Sequence, residues 1–212
     1  MNPNHGLKLD SEGRYLKFPG ITIVAAIRQS DFEEWDKLYK ELNKCELTKK
    51  YYSPLPTASY HMTTNNIYTE RVNGGSNWNE LVNKNLPRFQ KLVKTLKEKE
   101  MFPEIHIKGI GIGQTIIHLD LKIPKDQEDL IRSIAKEFEI SERIPTFFHL
   151  TLGYRYREID LTTMGKIREE LESNITFVGK NFILDSPKLC YFQDMTEFIP
   201  WDAEKNPFDL SS

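Results

Sequence analysis

The chain has 212 residues, 39% hydrophobic and 28% charged, with a formal net charge of −2. Those values fit an ordinary soluble globular protein, long enough for one larger domain or two small lobes. They speak against general nucleic-acid binding, which calls for a basic domain, and leave room for a small anion held at a local site.

Residues 1–19 read as a polar N-terminal arm with turn signals at Ser11-Glu12-Gly13 and Pro19-Gly20. The start of the chain lacks the apolar stretch of a signal peptide, and no apolar run is long enough to cross a bilayer, so a cytoplasmic protein is expected. Ile21 to Ile27 is a short apolar run rich in β-branched residues, the pattern of a buried strand. Ser30 and Glu33 form a capping box that opens a helix with Phe32, Trp35, Leu38, Tyr39 and Leu42 on one face. Cys45 falls on that apolar side, as a buried thiol; with Cys190 it makes no metal or redox spacing. A strand follows Pro54-Leu55-Pro56, and Asn73-Gly74-Gly75-Ser76 is a loop. Trp78 to Leu96 is helical in period, and Pro87 is expected to break it or start a second helix.

Ile105, Ile107, Ile117, Leu119 and Leu121 alternate as strands around the Gly109-to-Gly113 stretch, which reads as a turn or bulge. It lacks the Lys-Ser/Thr of a phosphate loop. A helix fits Asp126 to Phe138, a strand follows, and Leu161, Met164, Ile167 and Leu171 mark a last helix. Residues 175–184 and 187–193 read as a closing strand pair, and 194–212 as a C-terminal tail. Residues 20–193 are expected to form a single domain. The element order suggests a duplicated α+β plan.

Each half carries one His-x-Thr in a predicted strand: His61-Met62-Thr63 and His149-Leu150-Thr151. Strand side chains alternate faces, so each His shares a face with its Thr and the apolar middle residue points away. Two such strands facing each other offer two proton-transfer groups and two hydroxyl donors around one phosphate ester, with no metal needed. His118 and Asp120 share a strand face and read either as a His–carboxylate pair or, preferably, as an exposed polar face. His106 reads as part of a polar face and His5 lies in the arm. No His, Cys, Asp or Glu cluster has ligand spacing, so neither metal nor cofactor is expected.

The paired motifs resemble the 2H phosphoesterase superfamily, whose LigT-like members carry two H-x-T motifs. Gly6-Leu7-Lys8-Leu9-Asp10, Phe18-Pro19-Gly20-Ile21-Thr22, Ser59-Tyr60-His61-Met62-Thr63 and Phe148-His149-Leu150-Thr151-Leu152-Gly153-Tyr154 resemble an uncharacterised bacterial and fungal branch of it. The resemblance implies an α+β, bilobal fold with two antiparallel sheets related by a pseudo-twofold axis around a cleft. It also implies His61, Thr63, His149 and Thr151 as catalytic residues, and metal-independent work on 2',3'-cyclic phosphates, 2'-5' linkages or RNA ends.

Alternation adds weaker substrate-binding candidates: Ser59 and Asn65 beside the first motif, Phe147 (to stack a base) and Gly153 (to let a phosphate approach the backbone) beside the second. Tyr60, Met62, Leu152 and Tyr154 are then expected to face the core. Arg71, Arg155 and Arg157 follow the motifs closely enough to reach a phosphate. The expected protein is a monomeric hydrolase acting on a small nucleotide or oligonucleotide. The alternative is a non-catalytic module that binds a nucleotide or RNA end in the same cleft; it leaves two proton-transfer groups unexplained.

Overall fold

The structure is a computed structural model that describes residues 8–209. In chain order it contains β1 (Gly20–Ala26), α1 (Phe32–Lys44), α2 (Glu46–Tyr51), β2 (Tyr52–Pro54), β3 (His61–Thr69), α3 (Trp78–Glu98), β4 (Glu104–Ile112), β5 (Ile116–Lys122), α4 (Lys125–Glu137), β6 (His149–Arg155), α5 (Leu161–Asn174), β7 (Asn181–Ile183), β8 (Lys188–Phe192) and β9 (Ile199–Pro200). The start of the G-x-K-x-D motif and His5 lie outside the described residues.

The helices follow their apolar periods. Trp35, Leu38 and Leu42 bury one face of α1, each side chain worth about 2–3 kcal/mol of transfer free energy. Ser30 does not cap α1. A 3-10 turn over Gln29–Asp31 precedes the helix, its N-cap is Asp31, and the Ser30 hydroxyl turns to Asp31 Oδ1 at 3.2 Å. Cys45 is buried, as expected, and its Sγ accepts from Thr48 N (3.3 Å) at the start of α2. Pro87 does not break α3, which runs unbroken for 21 residues. The carbonyl that loses its partner is that of Asn83, a residue on the exposed side of the helix, where solvent is at hand to stand in for the missing donor. Val82, Phe89, Leu92 and Leu96 hold the helix down on both sides of the proline.

The strands form one antiparallel sheet in the order β7-β4-β5-β6-β3-β1-β8-β9, with β2 added beside β6. The resemblance implied two sheets; they merge because β3 and β6 touch, through the single register pair Met62↔Leu150. Both side chains are fully buried. The middle residues of the two motifs thus meet in the core, and the motifs lie side by side at the centre of the sheet. The expected closing strand pair does not form. β7 pairs with β4 and β8 with β1, at opposite ends of the sheet. The Gly109-to-Gly113 stretch is not all turn either: β4 continues to Ile112, with a bulge between Ile107 and Gly109.

The stretch read as a tail packs tightly. β9 pairs with β8, and Met195, Trp201, Ala203 and Phe208 are buried. Leu9, in the stretch read as an arm, is buried too.

Candidate active site

His61, Thr63, His149 and Thr151 line one cleft of about 380 Å³. Each imidazole is oriented in the same way. His61 Nδ1 lies 2.6 Å from the Ser59 carbonyl oxygen, and His149 Nδ1 lies 3.2 Å from that of Phe147. A carbonyl only accepts, so Nδ1–H donates in both rings and Nε2 is the atom left for a ligand. Among the described residues the hydroxyls of Thr63 and Thr151 have no protein partner. Thr64, by contrast, gives its hydroxyl to Ile23 O (3.3 Å).

The two histidines differ in their surroundings. Burial, above all, pushes the His61 pKa down to about 4, with the His149 and Lys8 charges adding to it and the Ser59 carbonyl opposing it. The Phe198 ring sits 4.1 Å from the His61 ring. His149 lies instead beside Phe147 (4.9 Å) and His118 (5.6 Å).

Beyond the two motifs, simple alternation fails, and it fails identically in both strands. Thr64 is an extra residue in β3, between the pairs Val24↔Thr63 and Ile23↔Asn65. Leu152 is an extra residue in β6, between His118↔Thr151 and Ile117↔Gly153. A bulge sends two successive side chains the same way, so the face flips after it. The cleft therefore receives Asn66 and Tyr154, three residues after each Thr, where Asn65 and Gly153 were expected. Asn65 is buried. Gly153 serves β2: a Cβ there would meet Ser53 O at 2.8 Å. Tyr154, expected in the core, is half-buried in the cleft, whereas Tyr60, Met62 and Leu152 are buried as expected.

Ser59 closes a 3-10 turn, outside the strand, and its hydroxyl goes to Pro56 O; only its carbonyl serves the site. Phe147 is about half exposed and stands on the His118 side of His149, not in the cleft wall. Arg71 is exposed in the turn after β3 and does not line the cleft, although Val72 and Asn73 beside it do. Arg155 is buried on the other face of β6, where it donates to Gln114 Oε1. Arg157 lies over Tyr156.

The cations that do line the cleft are Lys8 and Arg143. Lys8 Nζ reaches Tyr154 OH at 3.2 Å, and the Arg143 guanidinium lies 5.9 Å from the Tyr68 ring centre. Phe18, Tyr68, Phe192 and Phe198 add aromatic wall. Lys8 sits in a quoted motif that gave it no role, and Tyr154 in one where it was expected to face the core. Nothing in the sequence around Arg143 marks it, because it reaches the cleft only through the turn before β6. A larger, open groove of about 860 Å³ runs along Arg28, Glu34, Glu104, His106 and Lys122; its charges are of both signs. Among the described residues no group of three or more His, Cys, Asp or Glu could hold a metal ion, and no helix is long and apolar enough to cross a membrane.

A curled antiparallel sheet with flanking helices and two adjacent His-x-Thr strands is the architecture of the 2H phosphoesterases. The family model described as 2H-phosphodiest, Domain of unknown function (DUF1868), matches residues 8–108. The uncharacterized protein 127L of Invertebrate iridescent virus 6 is 38% identical over 230 residues, covering 92% of this chain and 94% of the viral protein. A conserved protein of unknown function from Agrobacterium tumefaciens is similar in structure, with a TM-score of 0.69 at 19% identity over 95% of this chain and 92% of its own. A protein from Thermus thermophilus gives a TM-score of 0.52 at 13% identity, over 87% and 99% of the two chains. The chain belongs to the DUF1868 family of the 2H phosphoesterase superfamily.

Proposed function

We propose that the protein is a metal-independent phosphodiesterase acting on a small nucleotide or oligonucleotide, at a 2',3'-cyclic phosphate, a 2'-5' linkage or an RNA end. The observation that carries this reading is that both His-x-Thr pairs open into one cleft, each His held by a carbonyl two residues before it. One imidazole takes a proton from the attacking water or hydroxyl. The other protonates the departing ribose oxygen. Histidine does both near neutral pH. Thr63 and Thr151 donate to the nonbridging oxygens, where charge is redistributed in the transition state.

The cleft suits such a substrate. Its volume of about 380 Å³ is at the small end of ligand sites and suits one nucleotide unit. Aromatic walls favour a stacked base, and Lys8 and Arg143 favour its phosphate. The duplicated order of strands and helices around the β3–β6 seam fits a pseudo-twofold relation between the halves.

The test is turnover of 2',3'-cyclic nucleotides, 2'-5' oligoadenylates and cyclic dinucleotides by purified protein, with and without EDTA. Hydrolysis of at least one class that survives exhaustive chelation is expected. Loss in EDTA with recovery on adding a divalent ion would contradict the mechanism. Tight binding with no turnover of any class would replace the enzyme by a binding module.

A further inference from the structure

The two motifs are alike, but the strands beside them are not. β6 lies against β5, and its register sets Asp120 directly across from His149 and His118 across from Thr151. β3 lies against β1, where Ala26 stands across from His61 and Val24 across from Thr63. Directly opposed antiparallel residues bring their Cβ atoms within about 5 Å. His149 therefore has a carboxylate and an imidazole as neighbours at the positions where His61 has two apolar side chains.

The pair on β5 is built in. His118 Nε2 lies 3.3 Å from Asp120 Oδ1. The His118 ring lies over Gly111, where any Cβ would come within 2.3 Å of it, so the glycine makes its seat. The ring then stands edge-on to His149, with centroids 5.6 Å apart.

We propose that the two histidines divide the reaction according to these neighbours: His149, beside Asp120 and His118, is the general acid, and His61, beside Val24 and Ala26, is the general base. The proposal rests on the phosphodiesterase reading above and deepens it. Asp120 and His118 are positioning residues, since neither lines the cleft.

Two imidazoles that share one proton place it where a negative charge is near. Asp120 supplies that charge at His149. His118 adds no competing positive charge, because burial, above all, holds its pKa below the usual value, against the pull of Asp120. Among the described residues the other charged or titratable groups lining the cleft are Lys8 and Tyr154, which touch each other, and Arg143, which lies near the Tyr68 ring. Behind His61 a small cavity is lined by Asp185 and Lys188, one charge of each sign. The Lys8 charge disfavours a proton on His61.

A cyclic diester is opened by one displacement at phosphorus. Water oxygen bonds to phosphorus as His61 Nε2 takes its proton. The bond from phosphorus to one ribose oxygen breaks, and that oxygen takes the proton of His149. The products are a ribose hydroxyl and a phosphomonoester, and the two imidazoles reset by exchanging a proton through solvent.

The test compares uridine 2',3'-cyclic phosphate, whose leaving oxygen needs a proton, with thymidine 5'-(4-nitrophenyl phosphate), whose nitrophenolate leaves without one. Loss of a general acid costs about 100-fold or more only where a proton must be delivered. His149→Ala should therefore lose at least ten times more on the cyclic ester than on the aryl ester, whereas His61→Ala should lose about equally on both. Asp120→Asn should follow His149→Ala with a smaller loss and move the alkaline limb of kcat/KM on the cyclic ester to lower pH. Asp120→Glu should restore it.

Melting temperatures of all four variants separate misfolding from these effects. The pH profile carries the same distinction if the aryl ester is a poor substrate. Equal losses on the two esters for His149→Ala, the reverse pattern, or an alkaline limb unmoved in Asp120→Asn would overturn this assignment alone. No turnover of either ester or of any other phosphodiester by the wild-type protein would overturn it together with the phosphodiesterase reading.

Discussion

His61 illustrates how one side chain trades stability for chemistry. Its imidazole is held neutral, with a pKa of about 4, against 6.5 for a free histidine. The unfolded chain takes up a proton near pH 6.5 that the folded chain accepts only near pH 4. Stability is therefore fully present above pH 6.5 and is lost as the pH falls through that window. Replacing His61 by Gln removes the group that titrates. The wild-type protein should lose on the order of 2–3 kcal/mol between pH 7 and pH 4.5 that His61→Gln keeps, read from urea unfolding at both pH values. An equal loss in both proteins would mean that His61 is not held neutral by burial. At the same scale, the histidine and threonine of each motif were legible in the sequence, because a His and a Thr two apart on a strand share a face whatever the partner strand does. Arg143 was not, and Lys8 was marked only as part of a motif with no role in the site, since each reaches the cleft from a turn or an irregular segment whose path no local period records.

At the scale of elements, the period of each strand and helix was readable and its interruptions were not. The α1, α4 and α5 patterns each end up as a helix within a few residues of the expected span. The bulges at Thr64 and Leu152 are defined only against the partner strands β1 and β5, so no single-strand pattern could have flagged them. They are why Asn66 and Tyr154, rather than Asn65 and Gly153, continue the cleft face. Pro87 misled for a similar reason: its local rule is sound, but packing on both sides and an exposed carbonyl offset a cost of about 3 kcal/mol. Gly153 now has a definite role, which is to let β2 cross close to β6. Gly153→Ala must push Ser53 and Pro54 away and should cost about 1–3 kcal/mol in denaturant unfolding, with KM left within about twofold of wild type. A raised KM without loss of stability would return Gly153 to the phosphate.

For the whole molecule, the single contact between β3 and β6 decides the outcome. It joins the two halves of the sheet and, by burying Met62 against Leu150, aligns His61 with His149 on the opposite face. Segments before β1 and after β8 then wall the same cleft. Lys8 and Phe18 come from before β1, and Met195 and Phe198 from after β8. The sequence showed the duplicated motif and marked Lys8 and Phe18 as parts of further motifs, but it assigned their segment to an arm and residues 194–212 to a tail, because such stretches are read by composition and these are closed by long-range packing. On the proposed reading the two motifs form one site and act as a unit. The measurement that tests it most directly is kcat/KM of His61→Ala, His149→Ala and the double variant on whichever phosphodiester the wild-type protein turns over. Each single variant should lose about 10²–10⁴-fold, and the double variant should be within about tenfold of the worse single. Losses that multiply in the double variant, or a single histidine that can be removed without cost, would contradict a shared site.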